Sequence, residues 1–348
     1  MMVKRMQRIL LAAVLSMALL VCTGVAYLRN LDLDSQPPAD PRTTPGELAM
    51  LQGERPAPRG RILAVVTSTA KAGEIAAGLE LTELSRAYYT FIANGFDVDI
   101  ASPEGGRPPV RMDDELIDVD HAFLNDADAQ RRLSNTLPLA TVDASHYAAV
   151  YFVGGKGAMF DFAGNPDVHR VVASVYDVGG VVGAVCHGPA ALIDVTLGDG
   201  RKLLAGKRVT AFTNEEELFL LENAREVFPF LLQDALAAEA AMFSEGPKYL
   251  DHTVIDGRLV TGQNPWSTWS VAEGMIRALG FDPVAREPTR EERAVAVLST
   301  FHKEGADAAA VVRDQAAGFD KRLILMHAVV SAMEGRLAEA YRLQQLAH

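Results

Sequence analysis

The chain has 348 residues, 49% of them hydrophobic and 22% charged, which is enough apolar material for one large core or two ordinary ones. Its formal net charge is −12, and no cluster of Lys and Arg appears beyond the extreme N-terminus. That excludes a nucleic-acid partner, since phosphate neutralisation needs a basic patch, and it suits small neutral or aldehydic substrates better than polyanions.

Lys4, Arg5 and Arg8 precede Ile9–Leu28, a run of 20 residues without a charge. At ~1.5 Å rise per residue such a helix spans a hydrocarbon core of ~30 Å, so residues 1–28 read as a signal anchor or transmembrane segment. The basic flank predicts a cytoplasmic N-terminus, with the folded part outside the cytoplasm on the periplasmic or extracellular side. Gly24-Val25-Ala26 supports a rival reading, a cleaved signal peptide and a secreted product, although the apolar run exceeds the usual ~7–15-residue signal core. Residues 29–59 contain Pro37, Pro38, Pro41, Pro45, Pro56 and Pro58 and predict an extended tether.

From Arg61 the pattern becomes α/β. Ile62 to Thr67 reads as a buried parallel strand, and Glu80 to Asn94 as a helix stopped by Gly95. Further strands are expected at Phe96 to Ala101, Tyr147 to Val153 and Val181 to Val185, with a helix over Val168 to Val178. Lys207 to Phe212 and Thr253 to Val260 are further strand candidates, the first leading into an acidic helix from Asn214 and the second into a helix after Pro265. This alternation predicts a doubly wound parallel sheet flanked by helices over residues 60–281, with binding at the carboxyl ends of its strands. A helical extension, 282–348, opens with the capping box Thr289-Arg-Glu-Glu292, has breaks near Gly305 and Gly318, and restarts with Asp307 as N-cap. Its apolar stripe of Ile324, Leu325, Ala328, Val329 and Met333 predicts packing on the domain or on a second subunit, as an interface or a lid.

The chemistry concentrates in Gly183-Ala-Val-Cys186-His187-Gly188-Pro189. A strand that runs into cysteine and then a Gly-Pro turn has the form of a nucleophile elbow, with Cys186 projected at the sheet edge. A helix N-terminus beyond it predicts a lowered thiol pKa and backbone donors for an oxyanion. Gly154-Gly155-Lys156-Gly157 closes another strand and predicts a second set of approaching amides; it lacks a Walker pattern. Glu80 and Glu83 open the helix after the first strand, at the same sheet edge, and a carboxyl beside the thiol predicts a raised pKa and proton transfer. Charge alone does not choose between them, and Glu215, Glu216 and Glu217 have the composition of a solvated helix start. Cys22 and Cys186 do not form a plausible disulfide, so Cys186 stands as a single reactive thiol. The histidines show no metal-ligand spacing, so no metal is expected.

Five segments in order carry a resemblance: GLELTELSRAYYTFIANGFDVDIASPEGG, VGGKGAMFDF, GAVCHGPAAL, VTAFTNEEE and LVTGQNPWS. Through them, residues 60–281 resemble the DJ/PfpI superfamily of the class I glutamine amidotransferase-like, flavodoxin-like fold, and within it the glyoxalase III-like, heat-shock-type branch. The resemblance implies Cys186 as nucleophile, His187 beside it, and Glu83 as the acid that bonds the cysteine, four positions before Ala87 where the family usually has proline. It implies Glu217 as the acidic partner of His187, with Glu216 a one-residue alternative, and an oxyanion loop of Gly154 and Gly155 with the amide of His187. The implied activity is glutathione-independent conversion of methylglyoxal or a related 2-oxoaldehyde to a 2-hydroxy acid, with no cofactor, in a stress-protective role. A cysteine hydrolase acting on glycated or amide substrates (deglycase, amidase or peptidase) is one alternative, and a holdase chaperone or redox sensor another; a homodimer is left open. Lys156 in the glycine loop, Ala87 near Glu83, the N-terminal segment and the C-terminal helices depart from the family pattern. A true glutamine amidotransferase is disfavoured, because its histidine begins a His-x-Glu pair whereas His252 is followed by Thr-Val.

Overall fold

The computed structural model describes Met17, residues 36–54 and residues 56–348. Among these no helix is long and apolar enough to cross a membrane, and the expected span over residues 1–28 lies, Met17 apart, outside the described residues. The chain divides into two units, Ala39–Glu287 and Pro288–His348, the latter joined by residues 36–38.

The first unit is built on β1 (Arg61–Val65), β2 (Asp97–Ser102), β3 (Leu137–Pro138), β4 (Ala149–Phe152), β5 (Val181–Val185), β6 (Thr253–Asp256) and β7 (Leu259–Gly262). They form one sheet in the order β6-β7-β5-β4-β1-β2-β3. All neighbours are parallel except β6 and β7. The central strands are continuous apolar runs because both faces are covered. One cover is α1 (Leu81–Ala93), packed against the later helix α5 (Thr268–Ala278). The other includes α3 (Pro166–Asp177), whose Val168, Val171, Val172 and Val175 make a buried stripe at helical spacing. Asn165 caps α3 by accepting from the amides of Asp167 and Val168, with Pro166 in the first turn. The chain also forms the shorter helices α2 (Asp118–Asn125) and α4 (Asn214–Leu220).

Several expectations are corrected. Thr253 to Val260 is not one strand but part of the β6–β7 hairpin, turned at Gly257 (φ 60°), where a two-residue loop needs positive φ to match strand twist. Lys207 to Phe212 is not in the sheet: only Arg208–Val209 is extended, and it pairs with Met242–Phe243, because β7 already occupies the place beside β5. Described residues of the supposed tether make specific contacts in place of an extended linker. The Asp40 amide donates to Asp118, the Asn125 side chain donates to the carbonyls of Pro41 and Thr43, and Leu48 is buried. Ala87, where the resemblance expects proline, sits buried inside the continuous helix α1.

The second unit contains α6 (Arg290–Glu304), α7 (Ala306–Gln315), α8 (Lys321–Met333) and α9 (Leu337–Leu346). The Thr289–Glu292 capping box is present, with reciprocal bonds of 2.8 and 3.1 Å. Helix α7 starts at Ala306 with Gly305 as cap, so Asp307 is in its first turn rather than at the cap. A further break at Gly335 separates α8 from α9. The buried side of α8 is Leu323, Ile324, His327 and Ala328, whereas Val329 and Met333 of the expected stripe are exposed.

Gly183 lies in β5 under Met275 of α5, and a Cβ there would come within 2.1 Å of the Met275 sulfur. Gly183→Ala is therefore expected to lower the melting temperature through overpacking worth about 1–3 kcal/mol. Adding Met275→Ala should restore part of the loss in calorimetry; an unchanged single variant would refute this packing.

Candidate active site

The carboxyl ends of β1, β4 and β5 bring three segments together. Beyond β5 the chain turns at Cys186 with φ 58°, a left-handed conformation that costs a non-glycine residue about 1–3 kcal/mol. The turn is pinned on both sides: the Cys186 amide donates to the Gly262 carbonyl (2.9 Å), and the Phe212 amide donates to the Cys186 carbonyl (2.9 Å). The thiol is consequently held at the sheet edge, almost entirely buried. Beyond His187, the residues Gly188–Leu192 form a short 3-10 turn rather than an α-helix.

Cys186 Sγ lies 3.2 Å from His187 Nδ1, and His187 Nε2 lies 2.7 Å from Glu217 Oε2. With Nε2–H donating to the carboxylate, Nδ1 presents a lone pair to the thiol. Phe212 stacks on the imidazole at 4.7 Å and fixes its plane. Glu216 points elsewhere. Its Oε1 accepts from the Tyr249 amide (2.8 Å), Gln263 (3.1 Å) and Asn264 (2.9 Å), and its Oε2 from the Thr213 amide and hydroxyl (3.0 Å each). It is a saturated structural hub, so of the two glutamates it is Glu217 that meets His187.

Glu83 stands in the first turn of α1, fully buried, with its carboxyl facing the Cys186 thiol. The Gly154 amide donates to Glu83 Oε2 at 2.7 Å, while Oε1 is buried without a hydrogen-bond partner. Tyr151 on β4 donates its hydroxyl to the Glu83 carbonyl (2.8 Å) and locks this turn onto the sheet. A Cβ on residue 154 would come within 2.5 Å of Glu83 Oε2 and 2.9 Å of Cys186 Cβ, so only glycine admits the contact. Glu80 is one turn away at the helix cap, where its Oε2 accepts from the Asp113 amide (3.2 Å).

Burial pushes the Glu83 carboxyl well above its usual range, and the charges of Glu80 and Asp114 add to the rise. Burial likewise pushes the Cys186 thiol well above its ordinary value, with the Glu83 carboxyl reinforcing it. The expected lowering of the thiol is therefore corrected: a buried carboxyl opposes ionisation of its neighbour, and the short 3-10 turn supplies no long helix dipole. A second correction concerns Gly154, whose amide is committed to Glu83 instead of being free for a substrate oxygen. Among the described residues, the amides of Gly155 and His187 donate to no protein group. Tyr151 and the Gln263-Asn264 pair carry no sequence signal of their roles, because a tyrosine inside an apolar strand reads as core and an amide pair at a strand end reads as a turn.

Glu80 is pushed up to about 8, first by burial and then by Asp114. The folded chain keeps this proton where the unfolded chain, with a value near 4.5, has lost it. Stability from this group is thus complete below pH ~4.5 and is lost as pH rises toward ~8. Thermal melts should show Glu80→Gln gaining on the parent between pH ~5 and ~8; parallel curves would overturn the assignment.

Comparison with known proteins bears on what this site does. Residues 74–278 match the model of the DJ-1/PfpI family. The chain is 32% identical over 218 residues to glyoxalase 3 of Candida albicans, and 34% identical over 221 residues to a glutathione-independent glyoxalase of Saccharomyces cerevisiae. Each match spans 58% of this chain and 89% of the relative. The crystal structure of glyoxalase III from Candida albicans superposes with a TM-score of 0.58 at 27% identity, over 63% of this chain and 97% of that one.

Proposed function

Because the chain belongs to the DJ-1/PfpI family, we propose that it is a glutathione-independent glyoxalase, converting methylglyoxal or a related 2-oxoaldehyde to the 2-hydroxy acid. The observation that carries this reading is the Cys186 thiol held between His187 Nδ1 and a buried Glu83 carboxyl whose Oε1 has no partner. Isomerising an oxoaldehyde requires a proton to leave C1 and return at C2. A carboxyl with a raised pKa beside the nucleophile suits that transfer.

In this mechanism thiol and Glu83 both begin protonated. Because Oε2 already accepts from Gly154, Oε1 carries the acid proton. As Sγ adds to the aldehyde carbon, His187 takes the thiol proton and Glu83 protonates the aldehyde oxygen, giving a hemithioacetal. The Glu83 carboxylate then removes the C1 hydrogen, and His187 returns its proton to the C2 oxygen, giving an enediol. Glu83 next protonates C2 while His187 removes the C1 hydroxyl proton, leaving a 2-hydroxy thioester on Cys186. Water cleaves the thioester: its hydroxyl completes the acid, its proton returns to Glu83, and His187 reprotonates the thiolate. Glu217 orients and balances the imidazolium, and the amides of Gly155 and His187 serve the developing oxyanions. The cycle is an internal redox isomerisation and uses no cofactor.

Lactate formation from methylglyoxal without glutathione tests the reading. Cys186→Ala should abolish it, Glu83→Gln should lower kcat by ~10²–10⁴-fold, and Glu217→Gln should have a smaller effect. A folded parent chain that forms no lactate would overturn it. The Cys186–His187–Glu217 alignment also supports a second reading, a cysteine hydrolase acting on glycated substrates. That reading requires amine release and less dependence on Glu83.

We also propose that Ile9–Leu28 holds the catalytic unit at a membrane, outside the cytoplasm, on the strength of its 20 uncharged residues and basic flank. The intact chain should remain in the membrane pellet after alkaline carbonate extraction and retain its first 28 residues by mass. A soluble, shortened product would instead indicate signal cleavage.

A further inference from the structure

Helix α8 carries apolar side chains on two sides, with Lys321 and Arg322 in its first turn. Leu323, Ile324, His327 and Ala328 form its buried side, and the opposite side carries Leu325, Met326, Val329 and Met333. Val329 is 58% exposed and Met333 71% exposed. The apolar surface continues past the Gly335 turn onto α9, where Leu337 is 69% and Tyr341 61% exposed, again four residues apart on one helix face. A run of exposed apolar side chains of this size belongs against another apolar medium rather than in water.

The chain's course indicates which medium. The Gln36 side chain bonds the Phe319 carbonyl, the Lys321 amide donates to Gln36 Oε1 (3.3 Å), and Arg290 donates to the Pro37 carbonyl (3.4 Å). Residue 36 is therefore fastened at the start of α8. Only residues 29–35 separate it from the end of the uncharged segment at Leu28. The eight residue steps from Leu28 to Gln36 reach no further than ~29 Å, whereas α8 itself is about 20 Å long. The helical unit cannot leave the neighbourhood of whatever surface holds Leu28, so contact there is an intramolecular event at high effective concentration. Charge agrees: Pro288–His348 balances eight basic against eight acidic side chains, while the chain as a whole carries −12. It is thus less repelled by an anionic headgroup layer than the acidic α/β unit. Arg322 on α8 and Arg342 on α9 are exposed beside the apolar residues, as in helices that lie in a bilayer interface.

We propose that the outward face of α8 and α9, centred on Val329, Met333, Leu337 and Tyr341, rests in the lipid interface next to the N-terminal anchor. The inference rests on the anchor reading and extends it, making the C-terminal helices a second, interfacial foot of the enzyme.

The test uses the full chain reconstituted in phosphatidylethanolamine–phosphatidylglycerol vesicles, with single tryptophans introduced by Val329→Trp, Met333→Trp and Leu337→Trp. Lys303→Trp, at an exposed position on α6, is the control. Native Trp266 and Trp269 supply a constant background, measured on the unsubstituted chain. Lipids brominated high on their acyl chains should quench the new tryptophans at 329, 333 and 337 at least about twofold more than the one at 303. Flotation with vesicles but equal quenching at all four positions overturns the lipid-facing surface while leaving the anchor intact. Failure to float overturns the anchor, and this surface with it. Shielding of 329 from both brominated lipid and aqueous iodide, with a doubled mass in detergent, overturns the proposal in favour of a second copy of the chain.

Discussion

A carboxyl and a thiol are buried face to face at the sheet edge, and most of the α/β unit serves that contact. Neither group would choose the arrangement: burial raises both pKa values, and the Glu83 carboxyl makes ionisation of the thiol harder still, while the thiol's hydrogen bond to Glu83 opposes only part of the rise there. The fold imposes it by closing three segments onto one point. Tyr151 ties the start of α1 to β4, Gly154 lets the β4 loop pass within hydrogen-bond reach of Glu83, and backbone bonds to Gly262 and from Phe212 hold Cys186 at positive φ. The strain is stored where a nucleophile benefits from being prevented from relaxing.

Around that contact, glutamates of similar chemistry take different roles through their partners. Glu216 receives five hydrogen bonds and organises the loops bearing Tyr249, Gln263 and Asn264. Glu217, one residue on, keeps an oxygen for His187. Glu83 has one donor and one empty oxygen, and Glu80 sits close enough to raise it further. Each carboxyl's state depends on the number of donors aimed at it, since a buried carboxylate is tolerated only where hydrogen bonds replace water.

The helical unit obeys a simpler rule. Alanine-rich α7 and the capping box of α6 account for helix formation by local propensity, but α8 is too apolar on both sides to be explained by packing within its own unit. Gln36 is fastened to the start of α8, bonding the Phe319 carbonyl and accepting from the Lys321 amide.

Much of this was legible without coordinates. Apolar runs marked β1, β4 and β5, the last two ending in glycine and cysteine, the helical spacing of valines marked α3, and Cys186-His187-Gly188-Pro189 marked the elbow. These are local signals, because strand period, turn chemistry and capping depend on residues a few positions apart. The β6–β7 hairpin was missed although Asp256-Gly257 announces it, because continuous apolar flanks hid the turn. The exclusion of Lys207 to Phe212 from the sheet had no local sign at all, since membership depends on which strand packs beside β5. The same limit applied to the chemistry. Composition and motif order were sufficient for the family, the elbow and a nearby acid. Motif order already favoured Glu217 as the partner of His187, but only packing could exclude the alternative Glu216, occupy the Gly154 amide with Glu83, and reverse the expected shift of the thiol. A step of one residue along a helix turns a side chain by ~100°, and a pKa answers to charges and burial contributed by segments tens of residues away.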